Sequence, residues 1–206
     1  MDGTLTDPKV GITTCARYGL AKVGCHLTEQ DDLDWIIGPP LKASLAKILG
    51  VSVEDERAEQ ALLGYRERFS TVGLFENEVY PRVDSTLGVL ASQYRLFVAT
   101  AKPTIYAKRI LEHFNLAQYF TRIYGSELNG DRTNKGELIA YILGSEQLNP
   151  EETLMVGDRE FDILGARHNG VNAVVVTYGY GTTDELERAQ AHYTISSFDE
   201  LLTVLQ

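Results

Sequence analysis

The sequence predicts an α/β fold, in which a parallel sheet carries helices on both faces and a helical domain is inserted near the N-terminal end. After about residue 78, short runs rich in Val, Ile and Leu alternate with helical patterns, as expected for buried parallel strands joined by helices. Between residues 12 and 68, apolar residues recur at helical spacing and no strand pattern is present. We therefore predict a core domain of residues 1–11 and 78–206 and a helical domain of residues 12–77.

Each element follows from its own stretch of sequence. The helical domain is predicted from GITTCARYGLAKVG, EQDDLDWII, LKASLAKILG and ERAEQALLGYRERF, which glycines and prolines separate. The strands of the core are predicted from YRLFVAT, RIYG, TLMVG, NAVVVTYG and HYTI. Helices are predicted after them from residues 104–114, KGELIAYILG, FDILGARHNG, DELERAQ and FDELLTVL.

Composition limits the possible partners. The 206 residues carry a net charge of -10, which argues against a nucleic-acid polymer as partner because binding to its phosphate backbone requires a basic face. No apolar run reaches the roughly 20 residues that span a bilayer, and the N-terminus has no signal-peptide pattern. We expect a cytoplasmic protein with no membrane partner.

Cys15 and Cys25 lack zinc-site spacing and are expected to be reduced. The sequence does not indicate an oligomeric state.

Polar and charged side chains follow the predicted strands. Ligands of open α/β sheets bind beyond the carboxyl ends of the strands, so these positions are candidates for a site. The first is Asp2-Gly3-Thr4, and the others are Thr100, Lys135, and Asp158 with Asp162.

The acids Asp158 and Asp162 are four residues apart at the start of a predicted helix, so both lie on one face of it. Two converging carboxylates suit Mg²⁺, which prefers oxygen ligands. The alternative is a helix cap and a solvent-facing acid. Thr100 and Lys135 could hold a phosphate by a hydrogen bond and a positive charge. Their alternatives are a residue that merely ends a strand and an exposed lysine in an Asn-x-x-Glu capping box.

The segments DGTLTD, VATAKP, NKGELI and MVGDREFDILGARHNGV, followed by VTYGYG, resemble in this order the motifs of the haloacid dehalogenase superfamily. The stretches DWIIGPPLKASL and TYGYGTTDEL are similar to its branch of phosphoglycolate phosphatases and 5′-nucleotidases. The resemblance implies a Rossmann-like core with a small helical cap, Mg²⁺ as cofactor, and a small phosphorylated metabolite as substrate.

The resemblance also implies the role of each motif. In this superfamily two aspartates flank one residue ahead of Gly-Thr, and the first is a nucleophile that forms an aspartyl phosphate. Asp2 matches the second, which serves as general acid and base and offers its carbonyl to the metal. The position of the nucleophile falls before Met1. Thr100 and Lys135 are expected to hold the phosphoryl group, and Asp158 and Asp162 to hold or support the metal.

Substrate contacts are implied at two further places. Ala101 and Lys102 follow Thr100, but Ala101 stands where the family often has Asn or Ser, so that a polar contact is lost. The turn Gly38-Pro39-Pro40 matches the cap loop that closes over the substrate, although these residues also suit a plain turn between helices.

The resemblance further implies that a strand ahead of Met1 lies between the strands at residues 96–99 and 154–156. We expect the native protein to begin upstream with an apolar strand ending in Asp, and the 206-residue chain to fold poorly without it. The predicted function is Mg²⁺-dependent hydrolysis of a small phosphomonoester, either phosphoglycolate or a nucleoside 5′-monophosphate. The alternatives are a phosphomutase and an inactive protein that binds a phosphorylated ligand.

Overall fold

A computed structural model describes residues 1–205 and divides the chain into two compact units. The core unit contains Met1–Asp7 and the chain from Val79 onward, and the helical unit is Pro8–Glu78. The division after Asp7 comes four residues earlier than the predicted boundary, because α1 already begins at Lys9. The return to the core comes one residue later than predicted.

The secondary structure of each unit follows the chain in simple order. The helical unit contains α1 Lys9–Ala21, α2 Leu41–Leu49 and α3 Glu56–Arg68. The strands are β1 Thr6–Asp7, β2 Glu78–Val79, β3 Phe97–Pro103, β4 Arg122–Ser126, β5 Leu154–Gly157, β6 Asn172–Val176 and β7 Tyr193–Ile195. The core helices are α4 Val83–Ala91, α5 Thr104–His113, α6 Lys135–Glu146, α7 Glu160–His168, α8 Thr183–Ala189 and α9 Leu201–Val204.

Close backbone contact joins two helices of the helical unit. A Cβ atom added to Gly19 of α1 would lie 2.2 Å from the carbonyl oxygen of Ala61 in α3, so a larger residue would push the helices apart. Leu20, Leu45 and Ala61 are fully buried in this unit. The sequence therefore places glycine where the two helices need it and leucine where the core needs volume.

One predicted helix of this unit is wrong. The stretch EQDDLDWII contains only a short 3₁₀ helix, Asp34–Ile36. The Asp31 carboxylate accepts hydrogen bonds from the Thr28 backbone N–H and hydroxyl, and the Asp32 carboxylate accepts one from the Asp34 N–H. These side chains satisfy the backbone locally and replace the bonds that a helix would have made.

The strands β3 to β7 are parallel, as predicted, but they form two separate sheets. In one, β3 pairs with β4, with Phe97 opposite Arg122. In the other, the order is β5-β6-β7, with Leu154 opposite Asn172. Within residues 1–205, no hydrogen-bonded strand joins β3 to β5. The four apolar residues of β6 from Ala173 onward are buried, and they form the centre of the larger sheet.

Candidate active site

The carboxylates after β5 are buried. The side chain of Asp162 is 10% exposed, and its Oδ2 accepts hydrogen bonds of 3.2 Å from the N–H groups of Asp158 and Arg159. A Cβ atom at Gly157 would lie 2.2 Å from this oxygen, so the turn requires glycine. Asp162 therefore caps α7, but it is not the solvent-facing acid of the alternative interpretation.

Lys135 connects β3 to the first turn of α7. Its Nζ lies 2.8 Å from Asp162 Oδ1 and donates a hydrogen bond of 2.9 Å to the carbonyl oxygen of Ala99. The Asn134 side chain caps α6 as the capping-box interpretation predicts, but the Lys135 side chain is only 12% exposed. Burial opposes ionisation of Asp162, yet the adjacent ammonium outweighs it and lowers the pKa of this carboxyl.

Asp158 lies at the centre of the cluster. Its Oδ1 accepts a 3.0 Å hydrogen bond from the Thr4 hydroxyl, and its Oδ2 accepts one of 3.0 Å from the Tyr180 N–H. Burial, and then the charge of Asp162, raise the pKa of Asp158 to about 6. A carboxyl with this environment favours a nearby cation, because a cation would offset the unfavourable burial of its charge.

Asp2 is held against Lys102. The Lys102 Nζ lies 3.0 Å from Asp2 Oδ2, and the two side chains are 7% and 12% exposed. The other oxygen, Asp2 Oδ1, is buried without a hydrogen-bond partner. The loop that carries Asp2 lies against Asp158, since a Cβ atom added to Gly3 would be only 2.0 Å from Asp158 Oδ2. A buried oxygen without a partner is a ready ligand for a proton, a substrate or a cation.

The remaining predicted residues take different places. Thr100 is buried, and its hydroxyl oxygen accepts a 3.2 Å hydrogen bond from the Lys102 N–H. The Ala101 carbonyl oxygen accepts a hydrogen bond from the Ser126 hydroxyl. Residues 38–40 belong to the helical unit, where they lead into α2 and Gly38 has a φ of 109°. Their contact with substrate stays a prediction.

The loop after β6 was missing from the predicted site. The Tyr178 hydroxyl donates a 2.8 Å hydrogen bond to the Thr4 carbonyl oxygen, and the Tyr180 hydroxyl donates one to Asp7 Oδ1. A Cβ atom at Gly179 would lie 2.4 Å from both the Gly3 carbonyl oxygen and Asp158 Cβ. The quoted VTYGYG motif could have indicated this loop, but nothing in the sequence indicates which strand ends it touches.

A second ion pair missing from the prediction fixes the start of α7. Arg159 Nε lies 2.8 Å from Glu185 Oε1, and the Glu160 N–H donates a 2.8 Å hydrogen bond to the same oxygen. The side chains of Arg159 and Glu185 are 11% and 9% exposed. This pair holds α7 to α8 and thereby fixes the turn that carries Asp158.

Replacing Gly179 with Ala should distort the site. The added methyl group would overlap Asp158 and Gly3, and overpacking of this kind lowers the free energy of unfolding by about 1–3 kcal/mol. Urea unfolding monitored by circular dichroism measures this loss. Gly144→Ala is the matched control, because this exposed glycine of α6 has no atom within 4 Å of the added Cβ and should tolerate the change. Equal stability of the two variants would contradict the packing described here.

No group of three or more His, Cys, Asp or Glu side chains within the described chain is arranged to hold a metal. Asp158 and Asp2 remain as two buried carboxylates, and Mg²⁺ in proteins is often held by one or two carboxylates together with water and phosphate oxygens. The same residues contain no helix that is both long and apolar enough to span a bilayer.

Comparison with known proteins identifies the family. The model of the haloacid dehalogenase-like hydrolases matches residues 1–176. The chain belongs to this family. The predicted resemblance and the predicted HAD-like α/β fold are confirmed. The match covers the Asp2 loop, β3, the start of α6 and the turn after β5, which are the parts that carry the candidate site.

Three relatives show what this HAD-like chain is similar to. It is 42% identical to a 5′-nucleotidase of Pseudomonas aeruginosa, over 100% of this chain and 93% of that protein. It is 35% identical to the tyrosine-protein kinase PtkA of Mycobacterium tuberculosis, over 100% of this chain and 70% of that protein. The crystal structure of a predicted phosphatase from Clostridium acetobutylicum has a TM-score of 0.94 at 40% identity, covering 100% and 94% of the chains.

Proposed function

We propose that this HAD-like hydrolase is a Mg²⁺-dependent phosphatase that hydrolyses small phosphomonoesters. The observation that carries the proposal is the contact of the Asp2-Gly3-Thr4 loop with Asp158 beside the Lys135–Asp162 ion pair, where Asp2 Oδ1 has no hydrogen-bond partner within residues 1–205. An acid, a cation and a second carboxylate are the groups that transfer of a phosphoryl group requires. The family and the relatives named as phosphatases support the same activity.

The substrate proposed first is a nucleoside 5′-monophosphate, because the 42% identical relative is named a 5′-nucleotidase. Phosphoglycolate is the other substrate of the predicted branch. Residues 38–40 and Lys102 are proposed as substrate contacts, although the contact of Lys102 with Asp2 favours a role in orienting that acid. We further propose that the enzyme is cytoplasmic and that its helical unit serves as the cap.

The proposed reaction has two steps. A carboxylate ahead of Met1 attacks phosphorus and forms an aspartyl phosphate, while the bond to the ester oxygen breaks and Asp2 gives that oxygen a proton. Asp2 then takes a proton from water, whose oxygen attacks phosphorus, and the aspartyl–phosphate bond breaks to release inorganic phosphate. Thr100 and Lys135 hold the phosphoryl oxygens during both steps.

Asp158 and the carbonyl of Asp2 are the proposed ligands of Mg²⁺, which when bound neutralises charge on the phosphoryl group. Both oxygens of Asp162 already have partners, Oδ1 the Lys135 ammonium and Oδ2 the backbone N–H groups just ahead of α7. These contacts favour Asp162 as a support for the site over a direct ligand.

The proposal is tested on the protein purified from its own organism, here called the native-length enzyme. Its intact mass should exceed that of the 206-residue chain by the mass of an apolar segment ending in Asp. It should release phosphate from nucleoside 5′-monophosphates faster than from phosphoglycolate. An isomerised sugar phosphate or a phosphorylated protein tyrosine as the product, in place of free phosphate, would overturn the proposal. A mass equal to the 206-residue chain would remove its nucleophile.

The stabilisation by Mg²⁺ should depend on pH. The pKa of Asp158 is raised to about 6, so the stability that this group contributes is present at low pH and is lost as pH rises through about 6. Mg²⁺ binds the ionised form and offsets this loss, so about 10 mM Mg²⁺ should raise the Tm more at pH 7.5 than at pH 5. Thermal melts at both pH values measure the difference. A rise in Tm of equal size at both pH values would contradict this prediction. So would an Asp158→Asn variant whose Tm rises with Mg²⁺ as much as that of the native enzyme.

A further inference from the structure

The loop after β6 alternates tyrosine and glycine over residues 178–181, and the proposed reaction uses none of these residues. Both of its glycines pack on Asp158. A Cβ atom added to Gly179 would lie 2.4 Å from Asp158 Cβ, and one added to Gly181 would lie 2.2 Å from the Asp158 carbonyl oxygen. The loop therefore lies directly against the acid that the proposed function assigns to Mg²⁺.

The two tyrosine side chains of this loop bind the segment of residues 4–7. The Tyr178 hydroxyl donates its hydrogen bond of 2.8 Å to the carbonyl oxygen of Thr4, at the start of the segment. The Tyr180 hydroxyl donates its hydrogen bond to Asp7 Oδ1, at the end of the segment. Asp7 is also the last residue of the core unit before the chain enters the helical unit. The loop is thus attached to both ends of this segment.

Tyr180 holds Asp158 through its backbone. Its N–H group donates a hydrogen bond of 3.0 Å to Asp158 Oδ2, while the Thr4 hydroxyl donates one of 3.0 Å to Oδ1. A carboxylate oxygen accepts more than one bond, so both oxygens can still bind a cation while these donors fix their orientation. A rotation of the Tyr180 backbone would release Oδ2 and allow the buried carboxylate to turn.

The side-chain bond to Asp7 opposes this rotation. Tyr180 lies between β6 and α8, where neither a strand ladder nor a helix fixes its backbone. A side-chain hydrogen bond to a fixed point lowers the number of backbone conformations that such a residue can adopt. Asp7 provides the fixed point, because it belongs to β1 and directly follows the fully buried Thr6. The bond should therefore keep the Tyr180 N–H directed at Asp158.

We propose that Tyr180 and Asp7 are positioning residues for Asp158, because the hydrogen bond between their side chains fixes the N–H group that orients this carboxylate. The inference rests on the proposed function, which makes Asp158 a ligand of the cation. Both residues act through Asp158. Removing the hydrogen-bond partner of a metal ligand typically weakens metal binding by about 10- to 100-fold, so loss of this bond should weaken cation binding by about tenfold or more.

The test measures binding of Mn²⁺ to the native-length enzyme without substrate, at about pH 7.5. Mn²⁺ takes the same oxygen ligands as Mg²⁺, and the electron paramagnetic resonance signal of the free ion gives the bound fraction. Tyr180→Phe keeps the ring and removes only the hydroxyl, so its Kd should rise by at least about tenfold. Tyr193→Phe is the matched control on the exposed side of β7 and should keep the native Kd. A native Kd in Tyr180→Phe would overturn the proposal.

Two substitutions of Asp7 separate the hydrogen bond from the negative charge. Asp7→Asn removes the charge but keeps an oxygen acceptor, so its Kd should stay within about threefold of the native value. Asp7→Ala removes the acceptor and should weaken Mn²⁺ binding as much as Tyr180→Phe. The double variant should bind no more weakly than either single variant, because the same bond is lost in all three. If Asp7→Asn weakens binding as much as Asp7→Ala, the charge acts directly and the proposal is wrong.

Kinetics and thermal melts distinguish positioning from a merely structural role. Loss of stability in Tyr180→Phe would lower the Tm and the amount of folded enzyme, but not the affinity of the folded molecules for the cation. Loss of positioning should raise the Mg²⁺ concentration for half-maximal phosphate release about tenfold, and saturating Mg²⁺ should restore kcat to within about threefold. An unchanged half-saturating concentration with a lower kcat would contradict the proposal. If Tyr180→Phe does not fold, the Kd values of Asp7→Ala and Asp7→Asn decide.

Cation binding and turnover can fail separately. If the native-length enzyme binds Mn²⁺ and the variants bind it more weakly as expected, but no phosphate is released, the proposed function fails and the positioning role stands. If phosphate is released and Tyr180→Phe binds Mn²⁺ like the native enzyme, only the positioning role fails. A native-length enzyme that binds no Mn²⁺ would overturn both.

Discussion

We expect Asp2→Asn to lower the kcat of the native-length enzyme by about 10²- to 10⁴-fold, the range typical for loss of a general acid and base. The asparagine oxygen can still accept a hydrogen bond from Lys102, which lies 3.0 Å from the native carboxylate. The substrate pocket should therefore persist, and KM should change little. Steady-state phosphate release with a nucleoside 5′-monophosphate measures both constants.

Asp184→Asn is the matched control for this variant. Asp184 is an exposed acid in the first turn of α8, so its substitution by asparagine removes the same charge at a position away from the site. Its kcat should stay within about threefold of the native value, as for most surface substitutions. A thermal melt of Asp2→Asn separates loss of chemistry from loss of fold. A folded Asp2→Asn variant with native kcat would remove Asp2 from the mechanism.

The second large effect is expected for Lys135→Met. This change leaves the Asp162 carboxylate buried without its cation, since the two side chains are 12% and 10% exposed. Breaking a buried ion pair in this way lowers the free energy of unfolding by about 3–5 kcal/mol. Loss of the phosphoryl contact should also lower kcat/KM by about 10²- to 10³-fold. Urea unfolding and steady-state kinetics measure the two losses.

The double variant Lys135→Met with Asp162→Asn tests the physical reason. Removing both charges should destabilise the protein less than the sum of the single changes, because neither partner is then left as an unpaired buried ion. Lys108→Met is the matched control, since Lys108 is exposed on α5. Additive losses in the double variant would mean that the ion pair is not the source of the effect.

The sequence could predict the parts of the site that depend on local spacing. Asp158 and Asp162 fall on the same turn because helical geometry fixes residues four apart, and the strand-helix alternation indicates which ends of the strands carry them. Strand positions such as TLMVG and NAVVVTYG were also predictable, since parallel strands are apolar on both faces.

The pairings between distant segments could not be predicted in this way. Thr4 contacts Asp158, which lies 154 positions later in the sequence, and Lys102 of the VATAKP segment contacts Asp2 of the DGTLTD segment. Such contacts depend on the order of strands in the sheets, which composition and periodicity do not encode. The helix predicted from EQDDLDWII was wrong for a local reason. Its aspartate side chains accept hydrogen bonds from nearby backbone N–H groups, and these bonds replace the helical ones.

The glycines around Asp158 limit how this enzyme can be altered. Added Cβ atoms at Gly3, Gly157, Gly179 and Gly181 would lie only 2.0, 2.2, 2.4 and 2.2 Å from neighbouring atoms. The aspartate side chains and the backbone of the site therefore already fill the space that a larger residue at these positions would need. Laboratory evolution of a new substrate preference should find almost no tolerated changes in these loops. Selected substitutions should accumulate instead at exposed positions of the helical unit, such as Val53 and Leu63, where a changed side chain meets no buried neighbour.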